Sequence, residues 1–386
     1  MCSVGDDGFD ETENLKYMPK KEKPSIYDKC NKCREEPPCI VLRSKDKYCK
    51  QCFLAGTIHK FKALLGKHKL IHPNDRVMII HKCGQPSSAL LHFIRTGLDL
   101  ETHKRLRFEP LILFIEDQLH LSLEARQELI NNVEKEVGYF NFPKYFTSIT
   151  QLITASPPEN ALQAKSELLK LGEDDKTILD RFLEHQTNET NKNDFLNIIV
   201  LLWVEVAKNL KCKFIFTPEI SSDIASQLLT DISTGRGPHV PLDTGFCDSR
   251  DDEVKILRPL RLFDAKELAF YNHLNNLEPV TVRARKDEPY RSIQNLMKRF
   301  VNDLQMNYPA TVTTVLKTGD KLSVDKESNE KCNFCNAPIN EGNEELTSAE
   351  STQFSHWVST QTPDYTVASE DRYNKILKSF QNISFN

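Results

Sequence analysis

Phe53, Leu54, Ile58, Phe61, Leu64 and Leu65 recur at helical spacing, and Lys60, Lys62, Lys67, His68 and Lys69 interleave with them and follow them. This pattern predicts an amphipathic helix with a basic outer face, ended by Pro73. The short apolar run 76–81 predicts a buried strand, 82–87 a loop, and 88–94 the opening of a helix. A second apolar run, 111–115, stops at Glu116-Asp117, so the order is strand, crossover helix, strand. Helical periodicity returns over 123–137. A loop at 155–159 contains Pro157-Pro158, and a polar break spans 185–194. A long apolar helix (195–210), a buried strand (213–217) and a further helix (224–232) follow. Strands alternating with helices, each strand nearly all apolar, predict an α/β fold: a doubly wound parallel sheet covered on both faces. Near 310–316 the pattern changes, and from Lys317 the chain is polar, with no internal repeat anywhere.

The 386 residues are 39% hydrophobic and 27% charged, which excludes whole-chain disorder, collagen and a small disulfide scaffold. The most apolar stretch, 195–207, contains Asn197 and Glu205 and falls short of the roughly twenty residues a membrane span requires. No membrane partner is expected. The first residues carry no basic segment followed by an apolar one, so a cytoplasmic, reducing compartment is expected. Eleven cysteines there are expected as metal ligands, catalytic thiols or core residues rather than disulfides.

Charge is unevenly distributed. Between Lys16 and Arg107, 21 Lys and Arg face 8 Asp and Glu, a balance of +13, whereas the remainder holds −17. Six of the eleven histidines share that basic interval. Such a field attracts a polyanion, RNA first, with Lys60, Lys62, Lys67, Lys69, Lys104, Arg105 and Arg107 as candidate contacts. A basic face merely solvated and balanced by the acidic remainder is the alternative.

Cys30-x2-Cys33 and Cys49-x2-Cys52 form two knuckles that can complete a tetrahedral four-sulfur site for structural zinc. A closed site of this kind holds a fold and offers no position for catalysis. Cys39, between the pairs, has no assigned place. Cys332-x2-Cys335 is a single knuckle, a second metal site only if other ligands complete it. Cys212 reads as core, and Cys247 stands where a reactive thiol could occur but cannot ligate a cluster alone. At the end of the first strand, His81-Lys82-Cys83-Gly84-Gln85-Pro86-Ser87-Ser88 runs from strand through a small-residue loop into a helix, where main-chain N–H groups can face a phosphate.

The order of knuckles, basic helix, strand, loop and helix resembles the PP-loop ATP pyrophosphatases that thiolate tRNA, also called adenine nucleotide alpha hydrolase-like proteins. Their loop reads S-G-G-x-D-S; here Lys82 stands for the first Ser, Cys83 for the first Gly, Pro86 for the Asp, while Gly84 and Ser87 match. Thr217-Pro218-Glu219-Ile220-Ser221-Ser222-Asp223 stands in place of T-G-H-N-x-D-D and keeps Thr217 and Asp223. Arg258-Pro259-Leu260 and the helix after it match the R-P-L segment well. Lys82, Gly84, Ser87 and Asp223 are thus the remnants of a nucleotide site. Its lost glycine and lost carboxylate leave ATP binding in doubt and imply no catalytic residue.

Zinc knuckles before a degenerate loop resemble the second-subunit family of the cytosolic tRNA 2-thiolation complex. That resemblance implies a heterodimer with a catalytic PP-loop subunit. It places sulfur from a thiocarboxylated ubiquitin-related modifier on C2 of the wobble uridine of lysine, glutamate and glutamine tRNAs. The alternatives are a self-sufficient ATP-dependent tRNA sulfurtransferase and a zinc-dependent scaffold without RNA binding. The expected organisation is a disordered arm (1–29), a zinc ribbon (30–56), a PP-loop-like α/β domain (57–316) and a small polar C-terminal extension (317–386).

Overall fold

The computed structural model describes residues 29–42, 46–102, 105–119, 121–154, 161–169, 189–282 and 292–322, with single positions beside them. These residues divide into two compact units. The first draws on Met1–Glu173, Phe216–Ser221 and Arg258–Ala284; the second draws on Asp174–Ile215, Ser222–Leu257 and Arg285–Asn386. The expected arm and the loop at 155–159 lie outside the described residues.

The first unit opens with an antiparallel pair, β1 (Ile40–Val41) and β2 (Lys47–Tyr48), in the register Ile40↔Tyr48. Helix α1 (Lys50–His68) follows, burying Phe53, Thr57, Phe61, Leu64 and Leu65. It ends at Lys69, whose left-handed φ of 48° closes the helix four residues before Pro73. β3 (Arg76–His81), α2 (Gln85–Leu98), β4 (Glu109–Glu116), α3 (Leu123–Gly138) and β5 (Lys144–Ser148) then form a β-α-β-α-β run. Its strands are parallel in the order β5-β4-β3, with Met78 opposite Leu111 and Phe114 opposite Phe146. Parallel crossovers are right-handed as a rule, and two of them stepping in one direction are expected to place α2 and α3 on one face. Short α4 (Ile149–Thr154) follows β5 directly.

Along the chain α5 (Glu189–Asn209), in the second unit, precedes β6 (Phe214–Phe216), whose last residue belongs to the first, and α6 (Ser221–Ser233) follows, in the second unit from Ser222 onward. The helix therefore begins inside the expected polar break. α7 (Val240–Thr244), β7 (Cys247–Asp248) and β8 (Lys255–Leu257) come next, with β7 antiparallel to β8. α8 (Ala265–Leu274) returns to the first unit. α9 (Ile293–Asn307) and α10 (Pro309–Gly319) complete the second, where Ile224, Ala225, Val301, Val312 and Leu316 form a buried cluster.

In the first unit Phe93 of α2 is the packing centre. Its ring lies 5.0 Å from Phe61, 4.1 Å from Tyr271 and 5.5 Å from Phe263, so α1, α2 and α8 share one aromatic core. No described helix is long and apolar enough to cross a membrane.

Candidate functional site

Two constellations in the first unit carry chemistry. The first is the cysteine cluster. A tight turn brings Cys33 back toward Cys30: the Arg34 N–H donates to the Cys30 carbonyl at 2.9 Å, with Arg34 at φ 60°. The Lys32 N–H points at the Cys30 sulfur from 3.4 Å. The β1–β2 pair then delivers Cys49 as the N-cap of α1, and Cys52 falls in the helix's first turn. All four Sγ atoms lie within 4.8 Å of one another, with Cys33 and Cys49 4.0 Å apart.

Four thiolates about 2.3 Å from a central ion would be roughly 3.8 Å apart, so the cluster is compatible with a tetrahedral thiophilic metal. Cys49 and Cys52 stand at the positive end of α1. Burial pushes the Cys30 thiol up, yet main-chain hydrogen bonds from Cys33, Cys49 and Lys32 bring it down to about 6. Cys49 is pulled down by its main-chain bond with Cys52, but burial and the neighbouring Cys52, Glu36 and Cys30 drive it up to about 12. A cation placed among the four sulfurs would favour the thiolate form of each. Cys39 is exposed and outside the cluster.

The second constellation is the loop between β3 and α2. Gly84 is the N-cap of α2 at φ 121° and ψ 174°, a conformation essentially reserved for glycine. A Cβ there would touch only Pro86 Cδ, at 3.8 Å, so the requirement is conformational rather than spatial. Pro86 sits in the first turn, where its missing N–H costs no helical bond, and the helix accordingly starts at Gln85 rather than at the expected Ser88.

Ser87 is buried, its hydroxyl accepting from the Lys82 N–H at 3.0 Å and donating to the Lys82 carbonyl, so it ties the loop to itself. Asn272 of α8 donates to the Gln85 carbonyl at 2.8 Å and to its side-chain oxygen at 2.7 Å. The Cys83 thiol is pushed up to about 12, first by burial and then by Glu136, Asp117 and Glu116, which makes it a poor nucleophile at neutral pH.

Behind the loop Glu136 of α3 gathers three elements. It accepts from Ser88 of α2 and from the Val280 N–H at 2.9 Å, and it lies 3.5 Å from buried His81 at the end of β3. Burial would raise its pKa, but His81, Ser88 and Val280 hold it below the ordinary carboxylate range. In front of the loop the Lys82 ammonium lies 3.5 Å from Glu219 Oε1, while Arg258 Nε and Thr217 Oγ1 each donate to Glu219 Oε2 at 3.0 Å. Glu219 too would be raised by burial; Lys82 and Arg258 hold it down.

The expected residues divide accordingly. Lys82, Gly84 and Ser87 come together on the loop, whereas Asp223 is exposed in the first turn of α6, in the second unit. Lys60 turns inward: its ammonium lies 2.6 Å from Glu267 and 4.4 Å from the centre of the Phe263 ring. Lys62 is half-buried, while Lys67, Lys69, Arg105 and Arg107 are exposed. Cys212 is buried, Cys247 half-buried in β7 and Cys332 half-buried. Lys104 and Cys335 lie outside the described residues.

Glu219, Arg258, Glu136 and Asn272 were given no role from sequence. Arg258 and Glu219 stand inside matched segments, but only the fold reveals that they meet.

The sequence profile of the family described as cytoplasmic tRNA 2-thiolation protein 2 matches residues 292–382. The protein of that name from Aedes aegypti is 33% identical over 340 residues, covering 84% of this chain and 74% of its own. Its counterpart from Xenopus tropicalis is 31% identical over 402 residues, covering 87% and 77% respectively. In fold the chain is similar to the U34-tRNA thiolase NcsA of Methanococcus maripaludis, solved with its 4Fe-4S cluster. The TM-score is 0.54 at 15% identity, over 82% of this chain and 98% of that one. The architecture is therefore the expected PP-loop type, and at this identity the likeness speaks for fold alone. With relatives above 30% identity matched over most of their length, the chain belongs to the cytoplasmic tRNA 2-thiolation protein 2 family and has a role in tRNA 2-thiolation.

Proposed function

We propose that this chain is a catalytically reduced, tRNA-binding subunit of a cytoplasmic tRNA 2-thiolation complex. It supports a separate PP-loop subunit that transfers sulfur from a thiocarboxylated ubiquitin-related modifier to C2 of the wobble uridine in lysine, glutamate and glutamine tRNAs. The observation that carries this reading is the β3–α2 loop. A nucleotide loop needs donors and a magnesium-binding carboxylate facing outward. Here Pro86 occupies the carboxylate's place, the Ser87 hydroxyl is turned onto Lys82, and the Cys83 thiol is held protonated.

Zinc held by Cys30, Cys33, Cys49 and Cys52 has a structural part, since four thiolates complete its coordination and leave no open position. Zinc there would fix the start of α1. The exposed cations Lys67, Lys69, Arg105 and Arg107 are the phosphate contacts, together with half-buried Lys62. Reconstitution tests the assignment. The pure chain, given ATP, Mg²⁺, tRNA and thiocarboxylated donor, releases no pyrophosphate, and thiolation begins only when the PP-loop partner is added. Pyrophosphate release by the chain unaided would make it a self-sufficient sulfurtransferase. No tRNA binding even beside the partner would make it a scaffold.

A further inference from the structure

The cations at the loop already hold an anion, and it belongs to the chain itself. Lys82 reaches from the end of β3 and Arg258 from the segment after β8, and both converge on the Glu219 carboxylate, which Thr217 also donates to. Arg258 is only 8% exposed, so this is a guanidinium built into the fold rather than a surface cation that drifts to a partner. Glu219 is 27% exposed and Lys82 49%, so the junction opens to solvent on the Lys82 side. Two residues along the chain from Lys82, Gly84 caps α2 with no side chain and with room where a Cβ would stand. Two cations, a hydroxyl donor and a bare stretch of backbone are the donor set that an oxyanion of phosphate type takes.

We propose that Glu219 is a resident counter-anion that shuts a latent pyrophosphate-class site formed by Lys82, Arg258, Thr217 and the Gly84 backbone. This rests on reading the loop as a degenerate nucleotide cradle. It adds a positive cause of silence: the site is filled from within as well as missing parts. Neutralising the carboxylate frees both cations for an incoming phosphate, while the amide of a glutamine still accepts from Arg258 and keeps the junction folded.

The test is isothermal titration of the full chain with pyrophosphate. The wild type shows no saturable binding. Glu219→Gln binds saturably, with a gain of about tenfold or more because one repulsive charge is removed beside two attractive ones. The gain disappears in the double variant Lys82→Ala/Glu219→Gln. A folded E219Q protein without the gain overturns the proposal, as does a gain that survives loss of Lys82, or a wild type that binds as tightly as E219Q.

Should E219Q fail to fold, Glu219→Asp decides. The shorter side chain releases the longer contact, to Lys82, first, and raised pyrophosphate affinity supports the proposal where unchanged affinity overturns it. Failure of the underlying reading looks different: the wild type itself would then bind pyrophosphate and release it from ATP without a partner.

Discussion

Replacing Lys60 by Ala separates a structural cation from an RNA-binding one. Glu267 is 8% exposed and Lys60 34%, and their charged atoms are 2.6 Å apart. Breaking a fully buried pair costs about 3–5 kcal/mol and a surface pair about 0–1 kcal/mol, so this half-buried one is worth about 2 kcal/mol. The lost cation–π contact with Phe263 adds roughly 0.5–1 kcal/mol. At roughly 2–4 °C per kcal/mol for a domain of this size, Tm falls by roughly 5–12 °C.

The deficit depends on pH. Burial holds the Glu267 pKa above its ordinary value, with Lys60 opposing, so removing Lys60 moves it further up. A carboxyl whose native pKa exceeds its unfolded one favours the folded state at low pH and loses that contribution as pH rises through the native value. The K60A deficit is therefore greatest at neutral pH and shrinks on acidification. Thermal melts across pH, beside tRNA titrations across salt, make the assay. The expected outcome is a destabilised protein whose tRNA affinity and salt slope match the wild type at temperatures well below its melt. A K60A protein with wild-type Tm and a salt slope shallower by about one would place Lys60 on a phosphate and refute the reasoning.

The exposed pair behaves in the opposite sense. Lys67→Ala with Lys69→Ala leaves Tm nearly unchanged, weakens tRNA binding and lowers the salt slope by about two, and an unchanged slope would return these cations to solvent. Cys30→Ser or Cys49→Ser removes a ligand from the four-sulfur cluster, so elemental analysis should show about one metal ion per chain lost, with the start of α1 destabilised. A folded, active wild type containing no zinc would remove zinc from the assignment.

The sequence disclosed elements whose residues agree along their length. β3 coincides with its apolar run because Val77, Met78, Ile79 and Ile80 are all buried, and α1 is legible from its repeat of buried Phe53, Phe61, Leu64 and Leu65. β5 is hidden because Lys144-Tyr145-Phe146-Thr147-Ser148 mixes polar and apolar residues, and β8 because it has three residues. At 310–316 the β-branched Thr and Val residues obscure a helix that Pro309 starts and packing against Ile224 and Val301 sustains. The cysteine cluster was legible because two residues separate the members of each pair. The Lys82–Glu219 and Lys60–Glu267 pairs span 137 and 207 residues of chain, so only tertiary folding could reveal that two of the basic side chains are already engaged.

Helix α8 holds more than its ten residues suggest. Its Lys266 grips the Val41 and Leu42 carbonyls beside the cysteine cluster, at 2.6 and 3.1 Å; Glu267 anchors Lys60 of α1; Asn272 clasps Gln85 at the loop. The β1–β2 pair beside the cysteine cluster, helix α1 and the β3–α2 loop are thus bolted to a common bracket. A break in this one helix would therefore loosen three otherwise separate elements together, as a jig that slips releases every workpiece it holds.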